Sequence, residues 1–332
     1  MHLPKFEYFQ PSTVEDAIHL LEIQKSGARL AAGGTDLYPR MKYGLTRPES
    51  IISLRDIPVT PPTLSQDGIL NLDAFMPIKE VVNSRVILDN APLLSEAAGR
   101  VASEEIRVMA TLGGNLCQES RCLYYNQGHN FQFIEPCFKR GGDLCYFVPK
   151  GKKCLAVYMS DTAPALMCLN AKVNILGSGG EKQIPIEDIY SGDAKHPLEL
   201  GPTEILSQIN IAKLTGSAGW AYKKFSLRGG VEFAGVGVAT VLQMGDGKKV
   251  CEQAGITVGA IAASPLRASN AESLLTGKEI TDSLLKEAAK VAAEEIKVVP
   301  HHGYSRPYLH EILRVQTHRA LETAYERACH EI

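Results

Sequence analysis

Five of the eight cysteines, Cys117, Cys122, Cys137, Cys145 and Cys154, fall within 38 of the 332 residues. Uniform scatter would put about one there. The last four follow the spacing Cys122-x14-Cys137-x7-Cys145-x8-Cys154. That lacks the paired CxxC of a zinc ribbon and the tight CxxCxxC run of a bacterial ferredoxin. Four thiolates on loops can hold one Zn²⁺ or a [4Fe–4S] cluster, and spacing alone does not choose between them. Cys117 is a spare. Cys168, Cys251 and Cys329 stand in apolar or helical surroundings and read as ordinary thiols.

Two glycine pairs offer a second kind of chemistry. They are Gly33-Gly34-Thr35-Asp36 and Gly113-Gly114-Asn115. Neither matches GxGxxG or a Walker A sequence. Paired glycines leave backbone N–H groups open to a pyrophosphate, and Thr35, Thr111 and Asn115 add side-chain donors. One such pair alone reads as a plain tight turn. Two, each after an apolar segment, suggest one extended dinucleotide held between two sub-lobes.

The elements that must position these residues read as follows. Ser12 with Glu15 makes a capping box, and Val14, Ala17, Ile18 and Leu21 share one helical face. Strands are expected at 51–54 and 69–75, and a helix at 93–102. The stretch from Arg121 to Cys154 has little periodicity and reads as an inserted loop, which a bound metal group would order. It carries six cations, Arg121, Lys139, Arg140, Lys150, Lys152 and Lys153, against Glu135 and Asp143, a net +4. Such a face is either solvated or a docking patch for an acidic electron carrier. A strand resumes at 155–158, Asp161 caps a helix to about Asn170, and a strand covers 172–176. In the second half, strands at 204–212, 220–227, 233–244 and 250–261 surround a Gly245-Asp246-Gly247 hairpin signal. Helices at 268–275, 281–296 and 309–328 follow.

Composition narrows the function. The net charge is −2, with 45% hydrophobic and 22% charged residues. This balance supplies no electrostatic reason for nucleic acid or an anionic membrane as partner. No apolar run is long enough for a membrane span, and the first residues carry Glu7 in place of an apolar signal core, so a cytoplasmic protein is expected.

Three strings taken together carry a resemblance: Leu30–Leu37 (LAAGGTDL), Ala110–Leu116 (ATLGGNL) and Ser160–Leu166 (SDTAPAL). They resemble the FAD-binding medium subunits of molybdenum hydroxylases, the xanthine dehydrogenase and carbon monoxide dehydrogenase family. The likeness continues through Tyr222–Arg228 (YKKFSLR), Glu232–Val236 (EFAGV) and Arg319–Leu321. Most members of that family have no cysteine-rich insert at this place. The insert here is similar to that of the 4-hydroxybenzoyl-CoA reductase β subunits, where it binds a [4Fe–4S] cluster; Cys122–Gln127 (CLYYNQ) carries that likeness. One departure is plain: the segment before the last helix reads His301-His302-Gly303-Tyr304-Ser305-Arg306, without the family's acidic residue. With no cysteine or carboxylate nearby, the two histidines read as a surface pair rather than metal ligands.

The resemblance implies an α+β fold. A two-lobed FAD-binding domain of the vanillyl-alcohol-oxidase type would cover 1–178, with 118–155 as the inserted [4Fe–4S] loop. A smaller α+β domain of the CO dehydrogenase flavoprotein C-terminal type would cover 179–332. Leu30, Ala31, Ala32, Gly33, Gly34, Thr35, Asp36 and Leu37 would cradle the FAD pyrophosphate. Thr111, Gly113, Gly114 and Asn115 would form the second phosphate and flavin turn. Asp161 would bind the adenosine part or the ribityl chain, Lys223 would lie near the cofactor, and Tyr124 and Tyr125 near the flavin. Cys122, Cys137, Cys145 and Cys154 would ligate the cluster. The chain would be the electron-transfer subunit of a molybdenum enzyme that removes the phenolic hydroxyl of 4-hydroxybenzoyl-CoA. Its partners would be a large molybdenum-cofactor subunit and a small subunit with two [2Fe–2S] clusters, assembled as a dimer of heterotrimers, with a ferredoxin-like donor. Two other readings stand: the FAD subunit of a hydroxylase on a purine, aldehyde or N-heterocycle, with electrons flowing outward, or a non-catalytic zinc-stapled binding module.

Overall fold

The computed structural model describes residues 2–126, 135–148, 150–214 and 216–330. Residues 127–134 and 149 of the insert lie outside that description. The chain opens with a parallel sheet in the order β1-β3-β2, built from β1 (Glu7–Phe9), β2 (Ala28–Ala31) and β3 (Ser50–Ser53). Helix α1 (Val14–Gln24) places Ala17, Ile18 and Leu21 on Ile52 and Leu54. Its cap sits one residue later than the capping box predicts: Thr13, not Ser12, accepts the N–H of Asp16 at 3.1 Å. Helix α2 (Leu37–Lys42) starts immediately after the first glycine pair.

The second sheet is antiparallel in the order β4-β5-β8-β6-β7. It contains β4 (Thr63–Leu64), β5 (Ile69–Asp73), β6 (Lys172–Gly177), β7 (Gly180–Pro185) and β8 (Ile205–Ala212). Leu70 and Leu72 alternate inward along β5 and meet the buried faces of α5 (Pro92–Gly99) and α8 (Thr162–Cys168). Between β5 and α8 the chain also forms α3 (Ile78–Asn83), α4 (Arg85–Asn90), α6 (Glu104–Met109) and α7 (Leu112–Leu116). The boundary expected at 178/179 would cut the β6–β7 hairpin. Hydrogen bonding carries the first unit's sheet on to Ala212 in β8.

The third sheet, β12-β11-β10-β9, holds β9 (Ser217–Phe225), β10 (Val236–Met244), β11 (Cys251–Gly259) and β12 (Leu266–Arg267). The hairpin expected at Gly245–Gly247 joins β10 to β11. Helices α9 (Ser269–Leu275), α10 (Asp282–Glu295) and α11 (Arg306–Cys329) cover one face. Gly219 is where α11 comes closest: a Cβ there would stand 1.8 Å from the Ala324 carbonyl oxygen. Strand β10 is buried on both faces, with Ala239 and Val241 in the core of the first unit and Val238 and Leu242 in that of the second. This accounts for its nearly unbroken apolar run and makes it the weld between the two units. No helix among the described residues is long and apolar enough to cross a membrane.

The strand expected at 155–158 is only a two-residue bridge, Arg121 with Val157. The Arg121 N–H donates to Val157 O at 2.6 Å and the Val157 N–H donates back at 2.9 Å. The bridge closes the base of the insert and brings its two ends side by side.

Candidate functional site

The two glycine pairs meet. A Cβ on Gly33 would stand 1.8 Å from the Met109 carbonyl oxygen, and one on Gly113 would stand 2.9 Å from both the backbone oxygen and the Cβ of Ala74. Gly34 has φ +68°, the left-handed region, with the Tyr38 ring 2.3 Å from where a Cβ would be. The second pair is the first turn of α7, not a loop. Thr111 caps it, accepting the Gly114 N–H at 3.0 Å.

A cleft of about 450 Å³ runs between the pairs. Leu30, Ala31, Ala32, Gly33, Gly34, Thr35, Asp36 and Leu37 line it from one side. Thr111, Gly113, Gly114 and Asn115 line it from the other. Asn115 is oriented by Ser160 and Thr162, whose hydroxyls donate to its Oδ1 at 2.6 and 2.7 Å. Arg29, Arg40 and Arg121 add positive charge to the lining, and Phe233 closes one wall beneath the Arg121 guanidinium, 4.9 Å from its ring centre. These four were missed by sequence reasoning. Arg121 counted only as charge on the insert, and nothing in the local pattern marked the others.

Four residues expected near the cofactor, Asp161, Lys223, Tyr124 and Tyr125, lie outside the cleft lining. Asp161 is buried away from the cleft lining, where its carboxylate accepts from the Tyr222 hydroxyl at 2.7 Å and from Lys224 Nζ at 2.9 Å. Burial pushes that carboxyl up, and Lys224 and Tyr222 oppose the shift. It therefore does not cap α8 through its side chain; Ser160 Oγ accepts the Ala163 N–H instead. Lys223 is one residue out of phase. Tyr222 and Lys224 share the face of β9 that meets Asp161, so alternation turns Lys223 to the opposite face with Ala221. Tyr124 lines a different cavity.

That cavity lies at the base of the insert, lined by Cys122, Cys137, Cys145 and Cys154 together with Tyr124, Tyr125, Phe138, Lys139 and Phe147. The four spaced cysteines thus converge, as their clustering suggests. Backbone N–H groups turn toward the sulfurs. Val148 N–H donates to Cys145 Sγ at 3.4 Å, and Tyr124, Tyr125 and Ala156 do the same for Cys122 and Cys154. Burial pushes the Cys122 and Cys154 thiols up, and their neighbouring thiols push the same way. Cys117, the spare, faces the flavin-sized cleft, and burial pushes its thiol up to about 12.

A line of alternating charge joins the two cavities. Lys139 Nζ meets Glu119 Oε1 at 2.7 Å, Glu119 Oε2 meets Arg40 Nη2 at 3.3 Å, and Arg40 lies 3.9 Å from Asp36. Asp36 in turn accepts from Arg121, the residue before Cys122. Lys139 and Arg40 hold the Glu119 carboxyl below the usual range, against the upward push of burial. The two histidines are not a surface pair: His301 is buried, with Nδ1 2.8 Å from Val299 O.

Comparison with known proteins adds the family. Residues 4–213 match the FAD-binding domain in molybdopterin dehydrogenase, and residues 220–324 match the CO dehydrogenase flavoprotein C-terminal domain. The chain is 28% identical to the carbon monoxide dehydrogenase medium chain of Afipia carboxidovorans, covering 97% of this chain and 98% of that one. It is 24% identical to the 6-hydroxypseudooxynicotine dehydrogenase complex subunit alpha of Paenarthrobacter nicotinovorans, over 99% and 97% of the two chains. Carbon monoxide dehydrogenase from Hydrogenophaga pseudoflava shares the fold with a TM-score of 0.81, at 24% identity over 98% of this chain and 99% of that one.

Proposed function

The chain belongs to the FAD-binding subunits of molybdopterin dehydrogenases, and on that premise we propose that it is a two-cofactor electron relay, with a [4Fe–4S] cluster at Cys122, Cys137, Cys145 and Cys154 beside the FAD cleft. The observation that carries the cluster is the convergence of the four sulfurs on one cavity whose wall is aromatic and whose backbone N–H groups face the sulfur atoms. The names of the relatives above carry no such cluster, so the argument rests on this chain's own cysteines. Four converging thiolates suit zinc as well as a cluster, and the choice of a cluster rests on the likeness carried by Cys122–Gln127.

Bound FAD exchanges one or two electrons and a cluster exchanges one, so the pair connects a one-electron carrier to a partner's redox centres. The chain's own residues do the positioning. Open N–H groups at the two glycine pairs and the Arg29, Arg40 and Arg121 guanidinium groups suit a pyrophosphate. Tyr124, Tyr125, Phe138 and Phe147 border the cysteines. No acid–base pair on this chain is asked to make or break a substrate bond. The partners in this reading are a large molybdenum-cofactor subunit and a small [2Fe–2S] subunit, two of each set forming a dimer of heterotrimers. A ferredoxin-like donor feeds electrons inward, and the large subunit dehydroxylates 4-hydroxybenzoyl-CoA. The similarity to CO dehydrogenase and nicotine-pathway subunits favours a second reading, a hydroxylase whose electrons leave through FAD.

The test is a metal, sulfide and flavin inventory of the purified complex, with Cys137→Ser beside it. The reading expects flavin together with iron and acid-labile sulfide in excess of the small subunit's two [2Fe–2S] clusters, and a Cys137→Ser complex that loses the excess iron but keeps FAD. Zinc in place of the excess iron, or unchanged iron in the variant, overturns the cluster. Reduction of 4-hydroxybenzoyl-CoA by a low-potential donor, against oxidation of an N-heterocycle or aldehyde, separates the two readings of the whole enzyme.

A further inference from the structure

Lys139 is an unusual residue to find where it is. It sits two positions after Cys137, lines the cysteine cavity, and its side chain is 3% exposed. Its ammonium is fully engaged, donating to Glu119 Oε1 at 2.7 Å and Ala194 O at 2.6 Å while lying 5.3 Å from the centre of the Tyr125 ring. Burying a lysine costs several kcal/mol, and a single carboxylate partner recovers that only in part. Apart from the four cysteines, its neighbours in the cavity wall are aromatic and aliphatic, so the charge faces Glu119 on one side and the cysteines on the other.

The buried charge is also not isolated. Lys139, Arg40 and Arg121 alternate with Glu119 and Asp36, three cations against two anions, along a line from the cysteine cavity to the first glycine pair. The cation end faces the cysteines and the acid Asp36 lines the cleft.

We propose that Lys139 sets the reduction potential of the group held by the four cysteines, and that Glu119 trims its effect. The proposal rests on the cluster reading above. Reduction of such a group adds one electron with no bond made or broken, so the reduced form carries one more negative charge. A fixed cation in the cavity wall stabilises that form and raises the potential, while the Glu119 carboxylate one contact away partly offsets it. The two side chains therefore act with opposite sign on one centre, which a purely structural pair does not do.

The experiment is a mediated redox titration of the intact complex with dithionite, reading the cluster by the EPR signal of its reduced form and the flavin by absorbance. Lys139→Gln is expected to shift the oxidised-to-reduced ratio of the cluster at fixed ambient potential about tenfold or more toward oxidised. Glu119→Gln is expected to shift it toward reduced, and Lys139→Arg to restore the parent value. An iron-loaded Lys139→Gln complex whose cluster titrates like the parent overturns the proposal. Should Lys139→Gln fail to load iron, Glu119→Gln decides alone, and an unmoved or oxidised-shifted cluster there also overturns it. A parent complex whose iron does not exceed that of the small subunit's two [2Fe–2S] clusters sinks the cluster reading itself, which keeps the two failures apart.

Discussion

At Gly33 a methyl group has no place to go, because the Met109 carbonyl oxygen already occupies the position at 1.8 Å. The obstruction is backbone, so no side-chain rotation relieves it, and the Gly33 turn and the Met109–Ala110 backbone must part for any larger residue to fit. Gly33→Ala is therefore expected to lower the flavin-to-protein ratio of the purified chain and to destabilise it by about 1–3 kcal/mol. Gly99, at the end of α5, has nothing within 4 Å of its Cβ position, so Gly99→Ala is the control, neutral or slightly stabilising. Absorbance at the flavin band and chemical denaturation read both, and an unaltered Gly33→Ala protein would remove the argument. A second residue-scale effect concerns His301. Burial pushes its pKa below the ordinary value of 6.5. The unfolded chain then binds a proton that the folded one refuses, so stability is lost as pH falls through about 6.5 toward the folded value. Thermal melting across pH 8 to 5 should show a decline below about 6.5 that is shallower in His301→Gln; parallel curves would show that the histidine is not responsible. The sequence pattern His301-His302 showed two imidazoles but not the depth of the first, since its burial comes in part from a segment far away in sequence, at Ala234 and Gly235.

At the scale of elements, the glycine strings, the helix at 162–168 and the strands of the second half were legible because each signal is local: a Gly pair, a short apolar run, two longer apolar runs either side of a Gly-Asp-Gly turn. What failed to show was phase and partner. Lys223 and Lys224 are adjacent lysines in one strand, and only the β9–β10 pairing with the burial of Tyr222 decides which meets Asp161. Similarly, the five-stranded sheet takes β8 from beyond the boundary expected at 178/179, and only long-range pairing reveals it. The phase argument has a direct test. Lys224→Met leaves the Asp161 carboxylate without its cation in a site where both side chains are under 10% exposed, and should cost about 3–5 kcal/mol. Lys223→Met, on the other face, should stay within about 0.5 kcal/mol of the parent. Denaturant midpoints measured side by side check this, and equal losses in the two variants would mean that strand phase does not govern the site.

Across the whole molecule, the structure redistributes the insert's positive charge. Of its six cations, Lys139 is buried beside the cysteines, and Arg121 is held by Asp36 in the cleft wall. Lys150, Lys152 and Lys153 remain exposed in the short stretch leading to Cys154. The net +4 read from the sequence therefore overstates the surface charge, but what is left is concentrated next to Cys154. In the proposed relay an electron crossing from an acidic carrier needs a short approach to that cysteine, and a lysine cluster there would steer the encounter more than it tightens the complex. Reduction of the complex by a ferredoxin-like donor should accordingly slow as ionic strength rises, because the attraction acts over about a Debye length, about 10 Å at 0.1 M salt. Replacing the three lysines with glutamine should slow the reaction at low salt and flatten its salt dependence, while iron and flavin content stay at parent levels. Stopped-flow reduction rates over a salt series provide the comparison. A parent rate indifferent to salt, or a triple variant that keeps the parent's slope, would place the carrier's landing site elsewhere on the molecule.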